Sequence, residues 1–326
     1  MRVADQQELP AAHWAELSSD GRNVLYTGAN GLCVRRADGT REQCVDRPDP
    51  AGFLDPDHAA WSPDGRKLAI TEAYTLGLEP DIHVVDVETG QLTTLTDDGI
   101  TQQGTIGAGE VVLPDAALVD LYPSWSADSK QIRFLRKAAT GVAVMAVPAT
   151  GGEPTSLGTL DTEWNALMEV AWAENAIAWT TGSRAEGDGE VWVSTLAGGG
   201  PHKVLDGQYR TLSFSADGAF LLADQQDRDG DAAVGKARVV PARGGDPVPV
   251  AAGKVRYPTW APEGHAIAYV DAAETVRVVG EPGAAPRDLH REKELGAADH
   301  EHLGWAPGVM LVRVGEDTPV VLRITG

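Results

Sequence analysis

The stretch WSPDGRKLAI (61–70), followed by IHVVDVETGQLTTLT (82–96), sets the reading of the whole chain. An aromatic residue, Trp61, precedes a small residue and a Pro-Asp-Gly turn. Apolar runs with β-branched residues lie after that turn and again across the Thr89-Gly90 turn, the pattern of short strands joined by hairpins.

The phrase returns along the chain. It reads WAELSSDGRNVLYTG at Trp14, WSADSKQIRFLR at Trp125, WAENAIAWTTG at Trp172, FSADGAFLLAD at Phe214, WAPEGHAIAYVD at Trp260 and WAPGVMLVRVG at Trp305. Successive copies are separated by 47, 64, 47, 42, 46 and 45 residues, the period of four-stranded propeller blades. The expected fold is therefore all-β, a seven-bladed β-propeller of four-stranded antiparallel blades forming one domain over 1–326. The blades are expected at about 11–47, 58–96, 120–158, 167–206, 209–252, 255–290 and 300–326 plus 1–9. Only two strand-like runs follow Trp305, so the segment Arg2–Leu9 is expected to supply the missing outer strand. Without it the last blade would expose an unpaired edge.

WSPDGRKLAI with IHVVDVETGQLTTLT resembles the repeat of TolB-like, WD-repeat-like propellers, and degraded versions stand at the other six positions. The resemblance implies a protein-binding module, a sensor domain or the non-catalytic partner of a prolyl-oligopeptidase-like hydrolase. No Gly-x-Ser-x-Gly nucleophile elbow occurs in the sequence. The resemblance also implies a location outside the cytoplasm. The N-terminus lacks the basic start and apolar run of a secretion signal, which read alone suggests a cytoplasmic chain.

Hydrophobic residues make up 42% of the chain and charged residues 23%, enough apolar side chain for a sizeable core. No apolar run is long enough to span a membrane. Acidic residues outnumber basic ones by 48 to 27, a net charge of −21, which disfavours nucleic acid and anionic membrane surfaces and suits cationic partners or metal ions. A monomer binding a protein, a peptide or a small molecule is the expectation.

Loops entering the inner strands should crowd at one mouth of the axial channel. Three residues before each aromatic stand Ala11, His58, Tyr122, Glu169, Thr211, Tyr257 and His302. Just upstream lie Asp55, Asp57, Asp120, Glu163, Trp164, Arg210, Arg256, His300 and Glu301. Of these, His58, Tyr122, Glu169, Arg210, Arg256, Tyr257, Glu301 and His302 are the expected ligand-binding set. A catalytic alternative, a lyase or hydrolase with or without a metal, would use His58, Glu169, His300 and His302. Two further features depart from the repeat. Asp227, Asp229 and Asp231 surround Gly230 in a calcium-loop-like run. The stretch 97–120 is too long for a link between blades and reads as a lid or a partner contact. Finally, Cys33 and Cys44 lie symmetrically about Asp38-Gly39, directly opposite each other. A two-residue hairpin would make them a hydrogen-bonded pair, the tighter geometry for a disulfide; reduced, they would pack as small apolar residues.

Overall fold

The computed structural model describes residues 1–9, 15–28, 31–45, 54–72, 80–99, 105–107, 110–112, 118–138, 141–164, 167–182, 189–196, 200–225, 237–273, 275–291, 303–314 and 318–325. Each repeat forms a four-stranded antiparallel meander, and seven such sheets make a ring. Strand β1 (Arg2–Glu8) precedes the first blade. Blade 1 is β2 (Ala15–Leu17), β3 (Asn23–Gly28), β4 (Gly31–Arg36) and β5 (Glu42–Cys44). Blade 2 is β6 (Leu54–Trp61), β7 (Lys67–Glu72), β8 (His83–Asp86) and β9 (Leu92–Thr94). A separate hairpin, β10 (Thr105–Gly107) with β11 (Glu110–Val112), follows it. Blade 3 is β12 (Asp120–Trp125), β13 (Gln131–Lys137), β14 (Val142–Pro148) and β15 (Thr155–Leu160). Blade 4 is β16 (Leu167–Trp172), β17 (Ala176–Gly182), β18 (Gly189–Thr195) and β19 (His202–Asp206). Blade 5 is β20 (Thr211–Phe214), β21 (Phe220–Asp224), β22 (Arg238–Pro241) and β23 (Val248–Pro249). Blade 6 is β24 (Arg256–Trp260), β25 (Ile267–Val270), β26 (Thr275–Val279) and β27 (Arg287–Arg291). Blade 7 is β28 (Leu303–Ala306), β29 (Val309–Val314) and β30 (Thr318–Thr325), with β1 as its outer strand.

That last pairing closes the ring as expected. Strand β1 runs antiparallel to β30 from Arg2↔Thr325 to Glu8↔Val320, and the Leu9 N–H continues it to the Pro319 carbonyl at 2.8 Å. The last blade therefore has no unpaired edge where β30 would otherwise end the sheet.

The turn phrase has a specific job. In blade 1 the Ser18 hydroxyl donates to Asp20 at 2.7 Å, Asp20 accepts the Arg22 N–H, and the Ser18 oxygen accepts the Asn23 N–H. Ser62/Asp64, Ser126/Asp128 and Ser215/Asp217 repeat this lattice. Such side-chain bonds fold the backbone into a tight turn and hold the carboxylates ionised. Asp64 and Asp128 lie below their ordinary pKa chiefly through the serine bond, and Asp217 falls to about 2 for the same reason, with His265 adding to it. Gly65 completes its turn at φ 66°, and a β-carbon there would run into the Asp20 carboxylate of the next turn.

Aligning the blades on the turn serine corrects the reading of the first repeat. Ser18 corresponds to Ser62, Ser126 and Ser215, so the slot held by Trp61, Trp125 and Phe214 is held in blade 1 by Leu17 and not by Trp14. By the same count, the blade 1 position three earlier is Trp14 in place of Ala11; both lie outside the described residues.

No sheet buries both faces by itself, so the core is divided among the blade interfaces. One apolar cluster lies between each neighbouring pair, from Leu25, Val34, Trp61 and Leu68 between blades 1 and 2 round to Leu17, Val24, Leu311 and Val321 between blades 7 and 1. First strands of neighbouring blades touch, as β6 does β12 and β24 does β28, which makes them the inner strands. The tryptophans tie these interfaces together. Trp125 donates its indole N–H to the Ala60 carbonyl of the preceding blade at 2.9 Å, Trp172 to Tyr122 at 3.1 Å, and Trp260 to Ser213 at 3.1 Å. Trp61 fills the same slot, 7% exposed, yet its indole nitrogen is buried without a partner among the described residues.

Cys33 and Cys44 are bonded to each other across β4 and β5. The hairpin differs from the two-residue expectation. Arg36 N–H donates to Arg41 and Val45 N–H to Leu32, so a four-residue loop, Ala37 to Thr40, joins the strands. Hydrogen-bonded pairs then fall at 32↔45 and 36↔41, and the alternation puts 33↔44 in a non-hydrogen-bonded pair. There the side chains approach more closely, which favours the bond.

Replacing Trp125 by Phe and Trp61 by Phe removes the same ring volume from two equivalent slots. Chemical denaturation is expected to show W125F costing about 1 kcal/mol more than W61F, the worth of one made hydrogen bond against an unmade one. Equal losses would show that the indole bond adds nothing.

Candidate functional site

An antiparallel meander places the turns within each phrase and between third and fourth strands at one rim of the ring. The connections into the inner strands lie at the other. Four inner strands slip register at this second rim, by one extra residue in blades 3, 4 and 6 and by a longer irregularity in blade 2. The register slips between Asp55 and Ala60, Leu121 and Ser124, Leu167 and Val170, and Arg256 and Thr259. The bulged positions include His58, Tyr122, Glu169 and Tyr257. Among the described residues, the inner strands of blades 1, 5 and 7 pair without a slip; in blades 1 and 7 the corresponding positions, 14 and 302, lie outside those residues.

Local sequence causes two of these bulges. Tyr122-Pro123 and Tyr257-Pro258 place an imide where the ladder needs an N–H, and a proline within a strand is accommodated at a bulge. Both tyrosines take positive φ, 57° and 52°, a conformation costing a non-glycine residue on the order of 1 kcal/mol. A bulge re-aims its side chain. The His58 and Tyr122 rings, from adjacent blades, meet edge-on with centroids 4.7 Å apart. Tyr122 also supplies the carbonyl that accepts Trp172, so the same residue links the rim to an interblade tie.

The other expected residues divide. Glu169 is half-buried, and its N–H donates to the Thr180 hydroxyl. Arg210 is half-buried, its N–H bound to the Asp224 carbonyl. Arg256 is buried at 8% exposure and donates to the Asp271 carbonyl. Asp120 differs from the open rim carboxylate expected of it. Its side chain is wholly buried and takes a two-pronged bond from Arg136, with oxygen to nitrogen distances of 2.7 and 2.6 Å. Burial raises its pKa, while Arg136 and Thr96 pull it back toward the charged form. Ala11, His300, Glu301, His302, Asp227, Asp229 and Asp231 lie outside the described residues, as do the side chains of Asp55 and Asp57. Among the described residues, no three His, Cys, Asp or Glu side chains are grouped as a metal site would require.

The 97–120 stretch is anchored at its base. The Asp98 carboxylate accepts the Leu118 N–H at 3.0 Å, and Asp120 N–H donates to Pro80. Between these points the β10–β11 hairpin pairs Thr105↔Val112 and Gly107↔Glu110. The insertion is thus a hairpin on a stapled footing.

Glu16 is a residue the sequence reading missed. In the register set by the turn serines it precedes the aromatic slot by one, where the other blades carry Ala60, Ser124, Ala171, Ser213, Thr259 and Gly304. Six small residues and one glutamate occupy the inner ends of the interfaces. Glu16 pairs with Leu25 and so shares the face that packs toward blade 2. Its carboxyl group makes no hydrogen bond or ion pair among the described residues, and it retains a little solvent contact on an inner strand. Protein encloses it on its other sides, and this desolvation raises its pKa to about 8. The signal was present in the sequence, hidden by counting blade 1 from Trp14.

No family model matches the sequence, and no curated protein does. Solved structures match as folds. A chain in the structure of the mitotic checkpoint complex shares 13% identity at TM-score 0.63, covering 100% of this chain and 92% of that one. An oligogalacturonate lyase in complex with manganese shares 12% at 0.52, covering 95% and 76%. A putative TolB from Agrobacterium tumefaciens shares 15% at 0.50, covering 90% and 98%. TolB is thus one of several propeller neighbours, and at these identities the likeness establishes the β-propeller alone.

The raised Glu16 pKa has a definite sign. The folded state holds its proton between the ordinary glutamate value and about 8, so stability falls as pH rises through that window. Glu16→Gln removes this loss. Thermal melts should coincide with the parent near pH 5 and lie above it at pH 9, and a constant offset at both pH values would refute the assignment.

Proposed function

We propose that the protein is a recognition module without catalytic activity, whose channel mouth and 97–120 hairpin take a cationic segment of a partner protein or peptide. The reading is supported by the four register slips in the inner strands, which fall at His58, Tyr122, Glu169 and Tyr257, where the connections into those strands gather at one rim. Variable side chains on a stiff frame suit recognition. The net charge of −21, with Glu169 among the rim positions, favours positive groups. The neighbour from the mitotic checkpoint complex belongs to a multiprotein assembly, in keeping with a protein partner. A catalytic pairing of His58 with Glu169 is disfavoured by position, since they belong to blades 2 and 4, which are not neighbours, and the His58 ring packs instead on Tyr122 of blade 3.

Selection of displayed random peptides on the full-length protein tests this. Enriched peptides should carry Lys or Arg, and their affinity should fall at least tenfold with E169Q and with H58Q. They should bind the Arg243→Gln variant, altered at the opposite rim, as they bind the parent. Enrichment of acidic peptides, or binding indifferent to both mouth variants, would overturn the proposal.

A further inference from the structure

Two grooves open at the rim opposite the channel mouth, at equivalent places between blades. One, of about 370 Å³, lies between blades 4 and 5 and is lined by Glu174, Ser194, His202, Asp217 and Arg243 among others. The second, of about 470 Å³, lies between blades 1 and 2, and four arginines line it: Arg22, Arg36, Arg41 and Arg66. The ring geometry accounts for a groove at each place. It does not account for four guanidinium groups in one of them, in a chain with a large acidic excess.

The bonds within this groove distinguish structural arginines from uncommitted ones. Arg41 is structural. It reaches Glu88 of the next blade with one nitrogen on the carboxylate at 2.8 Å and another on the carbonyl at 2.7 Å, closing the outer end. Asn23 donates to the Gly65 carbonyl at 3.0 Å and fixes the inner end. The carboxylates are also occupied. Asp20 and Asp64 take their own turn donors, and Asp86 accepts the Glu88 and Thr89 N–H groups and the Thr89 hydroxyl. Arg22 reaches only its neighbour Asp20, at 3.7 Å. The Arg36 and Arg66 guanidinium groups form no hydrogen bond or ion pair among the described residues, and the backbone N–H of Arg66 is the only group of that residue that bonds Asp64.

Arg133 is the internal comparison for an interblade arginine with a structural purpose. Its terminal nitrogens donate to the Ala173, Glu174 and Trp125 carbonyls, its plane lies over Trp172 at 5.7 Å, and its side chain is 7% exposed. Arg36 and Arg66 do none of this. They are exposed and line the groove beside Asp20, Asp64 and Asp86, carboxylates that already accept hydrogen bonds.

We infer that the groove between blades 1 and 2 is a second binding site, for a dianionic oxyanion of the phosphate-monoester class held by the Arg36 and Arg66 guanidinium forks, with Arg22 at its edge. Planar forks match the oxygen spacing of phosphate, and two of them neutralise a dianion where one would serve a carboxylate. The site is independent of the channel mouth, and either assignment stands if the other fails.

Titration calorimetry of the full-length protein with inorganic phosphate, at ionic strength held constant with chloride, tests it. Acetate in a parallel titration separates phosphate from carboxylate chemistry. The parent should bind phosphate at least tenfold more tightly than acetate, R36Q/R66Q should lose at least tenfold, and R243Q should match the parent. The double variant should melt with the parent in chloride, because both side chains are exposed. Should it not fold, R66K keeps the charge without the fork and is expected to bind several-fold more weakly. Absence of phosphate binding, equal binding of acetate, or binding unchanged in these variants would each overturn the site.

Discussion

Closure of the ring depends on the contact between one blade's inner tryptophan and the inner strand of the blade before it. A four-stranded sheet with two apolar faces has nothing to bury them against except its neighbours, so the core is seven interfaces rather than one interior. Trp125, Trp172 and Trp260 fill the inner ends of three of these, and each spends its indole N–H on a carbonyl of the adjoining blade. A buried indole needs such an acceptor. The requirement also explains why small residues stand beside the slot, because a larger side chain would hold the adjoining strand away from the ring.

The interface between blades 1 and 2 departs from this arrangement in several connected ways. Glu16 replaces a small residue, and the Trp61 indole has no acceptor among the described residues. Cohesion comes instead from the Asn23 to Gly65 bond and the Arg41 clamp on Glu88, at the turn rim. The disulfide holds the outer strand of the same blade. This interface contains both a half-buried carboxyl group whose pKa desolvation raises to about 8 and a groove lined by four arginines. The two rims thus differ in chemistry on one scaffold, the mouth built from bulged aromatic and acidic positions and the turn rim from arginines beside occupied carboxylates.

Much of this was legible in the chain. The repeat period and the Asp-Gly turns predicted the blades, and the short last repeat predicted closure by the N-terminal strand, because strand count and edge pairing follow from local pattern. The Tyr-Pro pairs at 122–123 and 257–258 were visible too, as was the odd glutamate at 16, but the latter required the correct register. That register depends on which serine bonds to which aspartate, and Trp14 is a better match to the phrase by residue type than Leu17 is.

By itself the sequence determined the fold class, the number of blades, the partner strand for β30 and the facing of Cys33 by Cys44, since each follows from periodicity along one strand or hairpin. Tertiary structure alone decided that Asp120 is buried against Arg136 while Glu169 is half-buried, that Trp61 lacks, among the described residues, the acceptor its counterparts have, and that four arginines of two successive repeats line one groove. Those outcomes depend on what the neighbouring blade places within a few ångströms, and burial, hydrogen bonding and charge are properties of that neighbourhood.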